Sequence, residues 1–207
     1  MPKSEPRQIG LKDVHVALIT SDGTEGTIYA APIKISRAIT AKITPSINSE
    51  TLYSDDGVED ELSSFGGCEI EIEQNALSLE QRALILGKTY KNGELLETSG
   101  DIAPKLALLF RSEKSSSTKA NPIYRYCVLY KGKFSEIEDE YETKGEKIST
   151  KTTKIKGKFY DRDYDGAWRL MLDSDATGVD KTKITNWFTE VQSPTTAAAT
   201  TPATTGQ

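Results

Sequence analysis

The chain has 207 residues, of which 36% are hydrophobic and 28% charged, and its formal net charge at pH 7 is -5. A chain of this length can bury about 70% of its unfolded surface, so we expect one domain with its own core. The negative net charge argues against a protein that grips nucleic acid through the phosphates. No window approaches the ~20 apolar residues of a membrane-spanning helix, and no apolar signal sequence follows the N-terminus. We expect a soluble protein made in the cytoplasm.

Residues that carry catalysis are scarce in this chain. His15 is its single histidine and Cys68 and Cys127 are its two cysteines. Both cysteines occupy apolar, strand-like positions, which favours buried thiols over a disulfide framework or a metal site. Phosphate-binding, zinc-binding and nucleophile motifs are absent. A glycosidase-like carboxylate pair is compatible with the composition, but the aromatic residues that form sugar platforms are only 8% of the chain. We predict no enzyme and no cofactor.

The first third of the chain reads as β-structure. Residues 1–10 are polar and contain two prolines, which predicts an extended N-terminal arm. Alternating apolar residues predict strands at 13–20 and 38–47. A strand at 27–35 contains Pro32, which is typical of an edge or a bulge.

An acidic stretch at 54–66 is too long for a tight turn, and it predicts a functional or flexible loop. The spacing of its carboxylates does not match the calcium-binding loop of an EF-hand, so a metal site is the weaker alternative. The acidic candidates in this loop are Asp55, Asp56, Glu59, Asp60 and Glu61.

The stretch 66–74 alternates strictly, with Cys68 and two isoleucines on one face. The other face carries three glutamates, Glu69, Glu71 and Glu73. This period of two predicts a half-buried strand. Three carboxylates on one strand face repel each other, and glutamate is a poor strand former. Something beyond strand propensity must therefore favour them there.

Local signals are clearest in the middle of the chain. Ser78 and Gln81 form a capping box that predicts a helix at 79–86, ended by Gly87. A hairpin is predicted with its turn at Asn92-Gly93. Apolar strands are predicted at 105–111 and 123–130, and a last strand at 167–172. A short helical turn is predicted within 179–191, with Ile184, Trp187 and Phe188 packing inward.

Residues 134–158 are acidic in their first half and lysine-rich in their second, which predicts a charged hairpin arm. Opposite charges across such a hairpin contribute about 0.2–1 kcal/mol for each pair. The favoured register pairs Glu136 with Lys158, Glu138 with Lys156, and Glu140 with Lys154. A solvated loop of mixed charge is the alternative.

Together these elements predict a mainly β fold: two packed antiparallel sheets, as a β-sandwich or barrel, with one short flanking α-helix and extended arms. Residues 1–192 would form this domain. Residues 193–207 are rich in threonine, alanine and proline and predict a flexible tail, because they offer too little apolar surface to order themselves.

The order of these features resembles the major tail tube proteins of long-tailed, non-contractile bacteriophages. The resemblance covers about residues 8–192, and its order and spacing, rather than any one motif, make it specific. It rests on Leu52-Tyr53-Ser54-Asp55-Asp56, the strand at 69–73, the helix at 79–87, Ala103-Pro104, Tyr130-Lys131-Gly132-Lys133-Phe134, Glu142-Thr143-Lys144-Gly145, the strand at 157–159 and Asn186-Trp187-Phe188.

The resemblance implies a tube domain whose copies close, six at a time, into a ring with one continuous inner β-barrel. It implies that rings stack into a tube through a long loop and the terminal arms. The implied partners are further copies of the chain, a tape measure protein inside the bore, and tail tip and terminator proteins. DNA would pass through the lumen without specific binding, and the protein would reside in the tail of the virion.

Within that picture, the N-terminal arm, the 54–66 loop and the 134–158 hairpin are candidates for ring-to-ring contacts. We expect Glu69, Glu71 and Glu73 to face the lumen, because an acidic wall repels DNA over a screening length of about 8 Å. The alternative places these glutamates on the outer sheet, toward solvent or a neighbouring subunit.

Two other functions are compatible with the sequence. The inner tube of a contractile tail or injection machine would share the fold. A β-sandwich surface binding module, such as an adhesin or a carbohydrate-binding domain, would suit the threonine-rich tail as a stalk, but it would need a signal peptide and an aromatic platform.

Overall fold

The computed structural model describes residues 6–35, 37–54, 57–118, 120–141, 143 and 152–195, with residues 51–54 and 57–61 described by their backbone alone. The described elements are eleven strands and two short helices. The elements are β1 (Gln8–Gly23), β2 (Gly26–Tyr29), β3 (Ile33–Lys34), β4 (Ala38–Ser54), β5 (Gly57–Gln74), α1 (Leu79–Leu86), β6 (Thr89–Lys91), β7 (Glu94–Leu96), β8 (Leu106–Lys114), β9 (Tyr124–Phe134), β10 (Thr153–Tyr160), β11 (Arg169–Asp173) and α2 (Lys181–Asn186).

Nine strands form one antiparallel sheet in the order β2-β1-β8-β9-β10-β5-β4, with β3 paired to β1 and β11 paired to β9. The remaining two strands, β6 and β7, form a separate small hairpin. The predicted mainly β, antiparallel fold is confirmed. Its two layers belong to one continuous sheet that folds over itself, because β1 near one end of the order contacts β4 at the other.

The main core lies between the two halves of the folded sheet. Val16, Leu108 and Leu129 come from the β1–β8–β9 half, and Ile70 and Ile155 from the β5–β10 half; all five are almost fully buried. Alternation places these residues on the inner face of each half. The sheet therefore encloses a core of the sandwich type.

A second core covers the other face of the β8–β9 half. Trp187 follows α2, is completely buried and packs with its ring centroid 5.2 Å from that of Tyr126. The Tyr130 hydroxyl donates a hydrogen bond of 2.8 Å to the carbonyl of Gln192. Leu108 and Leu109 thus point into different cores, which explains why β8 is apolar at successive positions.

The local motifs form as predicted. The Ser78 hydroxyl accepts a hydrogen bond from the Gln81 amide, the Gln81 side chain accepts one from the Ser78 amide, and Gly87 ends α1 in the left-handed conformation. Asn92 and Gly93 both have positive φ angles, as a tight turn between β6 and β7 requires.

The prediction of an acidic loop at 54–66 is wrong for most of these residues. Strands β4 and β5 pair from Ala38 opposite Gln74 to Ser54 opposite Gly57, so residues 57–66 continue a strand. Pairing with the Thr- and Ser-containing β4 outweighs the low strand propensity of the acidic residues. Glu59, Asp60 and Glu61 lie on β5, whereas Asp55 and Asp56 lie outside the described residues.

The predicted register of the 134–158 hairpin is also wrong. Lys158 lies opposite Lys133, not Glu136, and Phe134 lies opposite Gly157. The cause is aromatic packing, since the Phe134 and Phe159 rings meet edge to face at 5.9 Å over Gly157 and Gly132. The three glutamates lie beyond the end of β9, where no strand forms: Glu136, Glu138 and Glu140.

Glu136 instead forms an ion pair of 2.8 Å with Lys88. The outer part of the predicted hairpin, at residues 144–151, lies outside the described residues, as do residues 1–5 of the predicted N-terminal arm and 196–207 of the predicted tail. That arm ends earlier than predicted, because β1 already begins at Gln8.

Gly132→Ala tests the aromatic packing that sets the register. A Cβ atom at this position would lie within 3.0 Å of three carbon atoms of the buried Phe159 ring. We expect the free energy of unfolding to fall by about 1–3 kcal/mol, as in other overpacked cores. Urea titration followed by circular dichroism measures it. Gly100→Ala is the control, because a Cβ there meets no atom within 4 Å; equal losses in both variants would contradict the packing argument.

Candidate assembly surfaces

The three glutamates of β5 lie on a face of the sheet that we call the charged face. Its members are Glu69, Glu71 and Glu73 of β5, Lys154, Lys156 and Lys158 of β10, Lys42 of β4 and Lys133 of β9. The opposite side of β5 is buried, because Cys68, Ile70 and Ile72 point into the main core. The predicted half-buried strand is therefore confirmed at this position.

Opposite charges face each other across the β5–β10 ladder. Its directly opposed pairs are Glu69 with Lys158, Glu71 with Lys156, and Glu73 with Lys154. Lys154 also lies 3.9 Å from the Glu71 carboxylate on the diagonal, and the Thr152 hydroxyl donates a 2.6 Å hydrogen bond to Glu73. These pairs supply the reason for glutamate on this strand that propensity alone does not give.

The charged face is not acidic as a whole. Lys42 stands opposite Glu71 on the β4 side, and Lys133 stands beside Lys158. The lysines outnumber the glutamates, so the face carries a net positive charge. A location of Glu69, Glu71 and Glu73 on a lumen stays a prediction, and it gains no support from acidity of the face.

The far part of the β4–β5 hairpin stands apart from the rest of the sheet. Pairing with β10 ends where Phe159 lies opposite Cys68, and β4 and β5 then continue alone to Ser54 and Gly57. We call residues 46–54 and 57–67 the β4–β5 arm. At about 3.3 Å for each residue, its nine β4 positions span roughly 30 Å.

Beyond Phe65 at its base, the β4–β5 arm exposes its described side chains on both faces. Ile47 is 69% exposed and Leu62 53%, and the side chains at 46–50 and 62–64 are all exposed. A two-stranded ribbon is at best marginally stable alone in water. This ribbon also exposes large apolar side chains, and such exposure is typical of a surface that a partner covers.

The base of the arm is anchored by aromatic contacts. The Phe65 ring stacks on Trp168 with centroids 4.9 Å apart, and the Arg169 guanidinium lies 4.3 Å above the same indole. Gly67, with φ of 111°, lies at the base next to a register shift between Ser46 and Ile47. The arm therefore leaves the sheet in a defined direction.

The sheet has open edges at both ends of its strand order. Among the described strands, β4 pairs only with β5, and β2 and β3 pair only with β1. Unpaired strand edges present backbone donors and acceptors that can pair with another chain. The edges are therefore a second candidate surface for self-association.

A partly buried ionic cluster ties β8, β9 and β11 together. Arg125 donates two hydrogen bonds to Asp173, of 2.6 and 2.7 Å. The Lys114 ammonium, only 4% exposed, lies 3.0 Å from Asp173 and 2.6 Å from Asp175. The hydrogen bond from Arg125, helped by Lys114, lowers the pKa of Asp173 to about 2.

The two cysteines and the histidine, the side chains best suited to reactive chemistry, have structural roles in this fold. Cys68 and Cys127 are buried as predicted, and burial raises the pKa of the Cys127 thiol to about 12. The His15 ring stacks on Phe188 at 4.5 Å and its Nδ1 donates to the carbonyl of Asp13. Burial lowers the pKa of His15. His15 therefore packs against Phe188, which follows α2.

Within the described part of the chain, no three histidine, cysteine or acidic side chains cluster closely enough to hold a metal ion. The helices described for this chain are also too short and too polar to cross a bilayer.

Asp173→Asn tests the ionic cluster. The folded pKa is depressed, so the charged carboxylate contributes stability above the unfolded pKa, and this contribution is lost as the pH falls through the folded value of about 2. We expect a loss of about 1–2 kcal/mol at pH 7, discounted for partial exposure, and a difference from wild type that shrinks between about pH 4 and pH 2. Thermal unfolding across pH measures it, with exposed Asp161→Asn as the control. A pH-independent difference would contradict the assignment.

Glu71→Lys tests the charged face. It places a third ammonium beside Lys42 and Lys156, so we expect the free energy of unfolding to fall by about 0.5–1.5 kcal/mol at low salt and by less in 1 M salt. The double variant Glu71→Lys, Lys156→Glu restores one opposed pair and should recover about half of the loss. Additive losses in the double variant would show that the two side chains do not interact.

Comparison of the chain with models of known protein families finds no match, and comparison with curated proteins finds none either. The fold, the charged face, the β4–β5 arm and the sheet edges are therefore what supports a function for this chain.

Proposed function

We propose that this chain is a structural virion protein that polymerises, as stacked hexameric rings, into the tail tube of a long-tailed, non-contractile bacteriophage. The observation that carries the proposal is the β4–β5 arm, a ribbon about 30 Å long whose side chains at 46–50 and 62–64 are exposed on both faces. The resemblance of the sequence to major tail tube proteins gives the type of assembly.

The β4–β5 arm favours a polymer over a monomer. It exposes Ile47 and Leu62 far from either core of its own subunit. A neighbouring copy would cover the arm with a surface other than its own arm, because two arms that each carry five carboxylates and no lysine or arginine at 51–64 repel each other. Such head-to-tail contacts generate rings when the rotation closes and filaments when it does not. A tube of stacked rings uses both outcomes.

The open sheet edges favour closure into a ring. Strand β4 lies at one end of the strand order, and β2 and β3 lie at the other. Pairing of these edges between copies would satisfy the exposed backbone groups and join the sheets into one barrel. The edge strands and the arm thus supply two separate contacts, one within a ring and one between rings.

The proposed partners follow from the assembly. They are further copies of this chain, a tape measure protein in the lumen before ejection, and tip and terminator proteins at the tube ends. DNA would pass through the lumen without specific binding. The protein would be made in the host bacterial cytoplasm and would reside in the virion tail.

Removal of the apolar contacts of the arm tests the proposal. We expect wild-type protein to form rings or tubes as its concentration rises, and Ile47→Asp, Leu62→Asp to remain monomeric with an unchanged circular dichroism spectrum, because both side chains are exposed in the monomer. Sedimentation velocity and negative-stain microscopy measure assembly.

Ile102→Asp is the matched control, since Ile102 is 75% exposed and lies outside the arm; it should assemble like wild type. Unimpaired assembly of the arm variant would contradict the role of the arm. Wild-type protein that stays monomeric at all concentrations and binds glycans would instead identify a surface binding module.

A further inference from the structure

A cleft of about 260 Å³ opens between the two layers of the sheet, at the base of the β4–β5 arm. Its floor is apolar and includes Ala41 and Ile43 of β4 and Phe110 of β8. Its rim carries Arg125 of β9 and Arg169 of β11. Strand β4 runs from this cleft directly into the arm. Within one chain, the length of the arm therefore separates the cleft from the tip.

The cleft is incompletely filled by its own chain. Met171 contributes to it and remains 50% exposed, although its neighbours in β11 pack into the second core. Arg125 is engaged by Asp173. Arg169 lies over Trp168, and no carboxylate among the described residues forms an ion pair with it. A ligand for this cleft would therefore be apolar and would carry a negative charge.

The tip of the β4–β5 arm has this chemistry in its sequence. Tyr53 lies opposite Val58 in the strand register, which gives the tip one apolar pair. The stretch 51–64 contains no lysine or arginine. It contains five carboxylates, Asp55, Asp56, Glu59, Asp60 and Glu61. Two such tips repel each other, so the tip needs a basic receiving surface.

We propose that the acidic tip of the β4–β5 arm of one copy seats in the arginine-rimmed cleft of a second copy of this chain. The tip cannot reach its own cleft, because roughly 30 Å of paired strand lies between them. The apolar pair meets the apolar floor, and the carboxylates meet Arg169. This contact rests on the proposed function, of which it specifies the surface that receives the arm.

The charged face is the poorer receiver for the tip. Its lysines already stand opposite Glu69, Glu71 and Glu73, which would repel an incoming carboxylate. The groove on that face is lined by glutamates as well as lysines. The cleft is lined by Arg169, which forms no ion pair with a described carboxylate, and by Arg125, which Asp173 already engages. Complementary charge favours the cleft because it steers association and rejects other orientations.

Charge reversal on each side, with rescue, tests the contact in the full-length protein. Arg169→Glu alone, and the tip variant Glu59→Lys, Asp60→Lys, Glu61→Lys alone, should each raise the critical concentration for assembly by at least about tenfold. One chain that carries all four substitutions should return to within about threefold of wild type. Lys105→Glu, on another surface, is the control for a single charge reversal and should leave assembly unchanged.

A cysteine pair gives a readout that does not depend on charge. The pair is made in a Cys127→Ser background, because Cys127 lies opposite Met171 and lines the same cleft. Val58→Cys with Met171→Cys should form a disulfide between copies in assembled protein under mild oxidation, whereas Glu94→Cys with Met171→Cys should not, because Glu94 lies on the separate β6–β7 hairpin.

The contact is supported if wild type assembles, both charge-reversed variants lose assembly, the combined variant regains it, and the Val58–Met171 crosslink forms. Normal assembly of Arg169→Glu, absence of rescue, or absence of the crosslink overturns the contact while the proposed function stands. Wild-type protein that never assembles overturns the proposed function and this contact with it.

Discussion

The surfaces of this protein depend on two aromatic rings that pack over two glycines. Phe159 lies over Gly132 and Phe134 over Gly157, at the point where β9 and β10 pair. A side chain at either glycine would collide with a ring, so only one register of these strands fits. A shift by one residue would send every side chain of β10 to the other face. The lysines of β10 would then enter the core and the glutamates of β5 would lose their opposed partners.

Burial is distributed very unevenly over the molecule. The β8–β9 half is covered on both faces, by the main core on one side and by Trp187 and the C-terminal segment on the other. The β4–β5 arm beyond Phe65, by contrast, leaves its described side chains exposed on both faces. Because stability follows the buried apolar area, the body of the sheet can fold by itself, and under the proposed function the arm would gain its cover from another copy. This division between a self-sufficient body and a dependent arm is what an assembly unit requires.

Elements defined by neighbouring residues could be predicted from sequence, and elements defined by distant pairing could not. The capping box of α1, the Asn92-Gly93 turn and the apolar β8 carry their own signals, and all three form. The 57–66 strand was missed because acidic residues alone indicate a loop. The lysines of β10 match Glu136–Glu140 and Glu69–Glu73 equally well by alternation. The choice between them depends on glycines that face phenylalanines across strands, a three-dimensional condition. The cleft at the base of the arm combines five strands and has no local signal at all.

The hydrogen bond from Tyr130 to the carbonyl of Gln192 also decides where the chain leaves the fold. Lys183 holds the following residues through Ser193 and Thr195, so the last described segment exits over the outer side of the β8–β9 layer. The charged face lies on the outer side of the other layer. A tag that replaced the residues after Thr195 would begin on the opposite side of the subunit from the charged face. In a closed ring with the charged face turned inward, it would decorate the exterior and leave the channel clear.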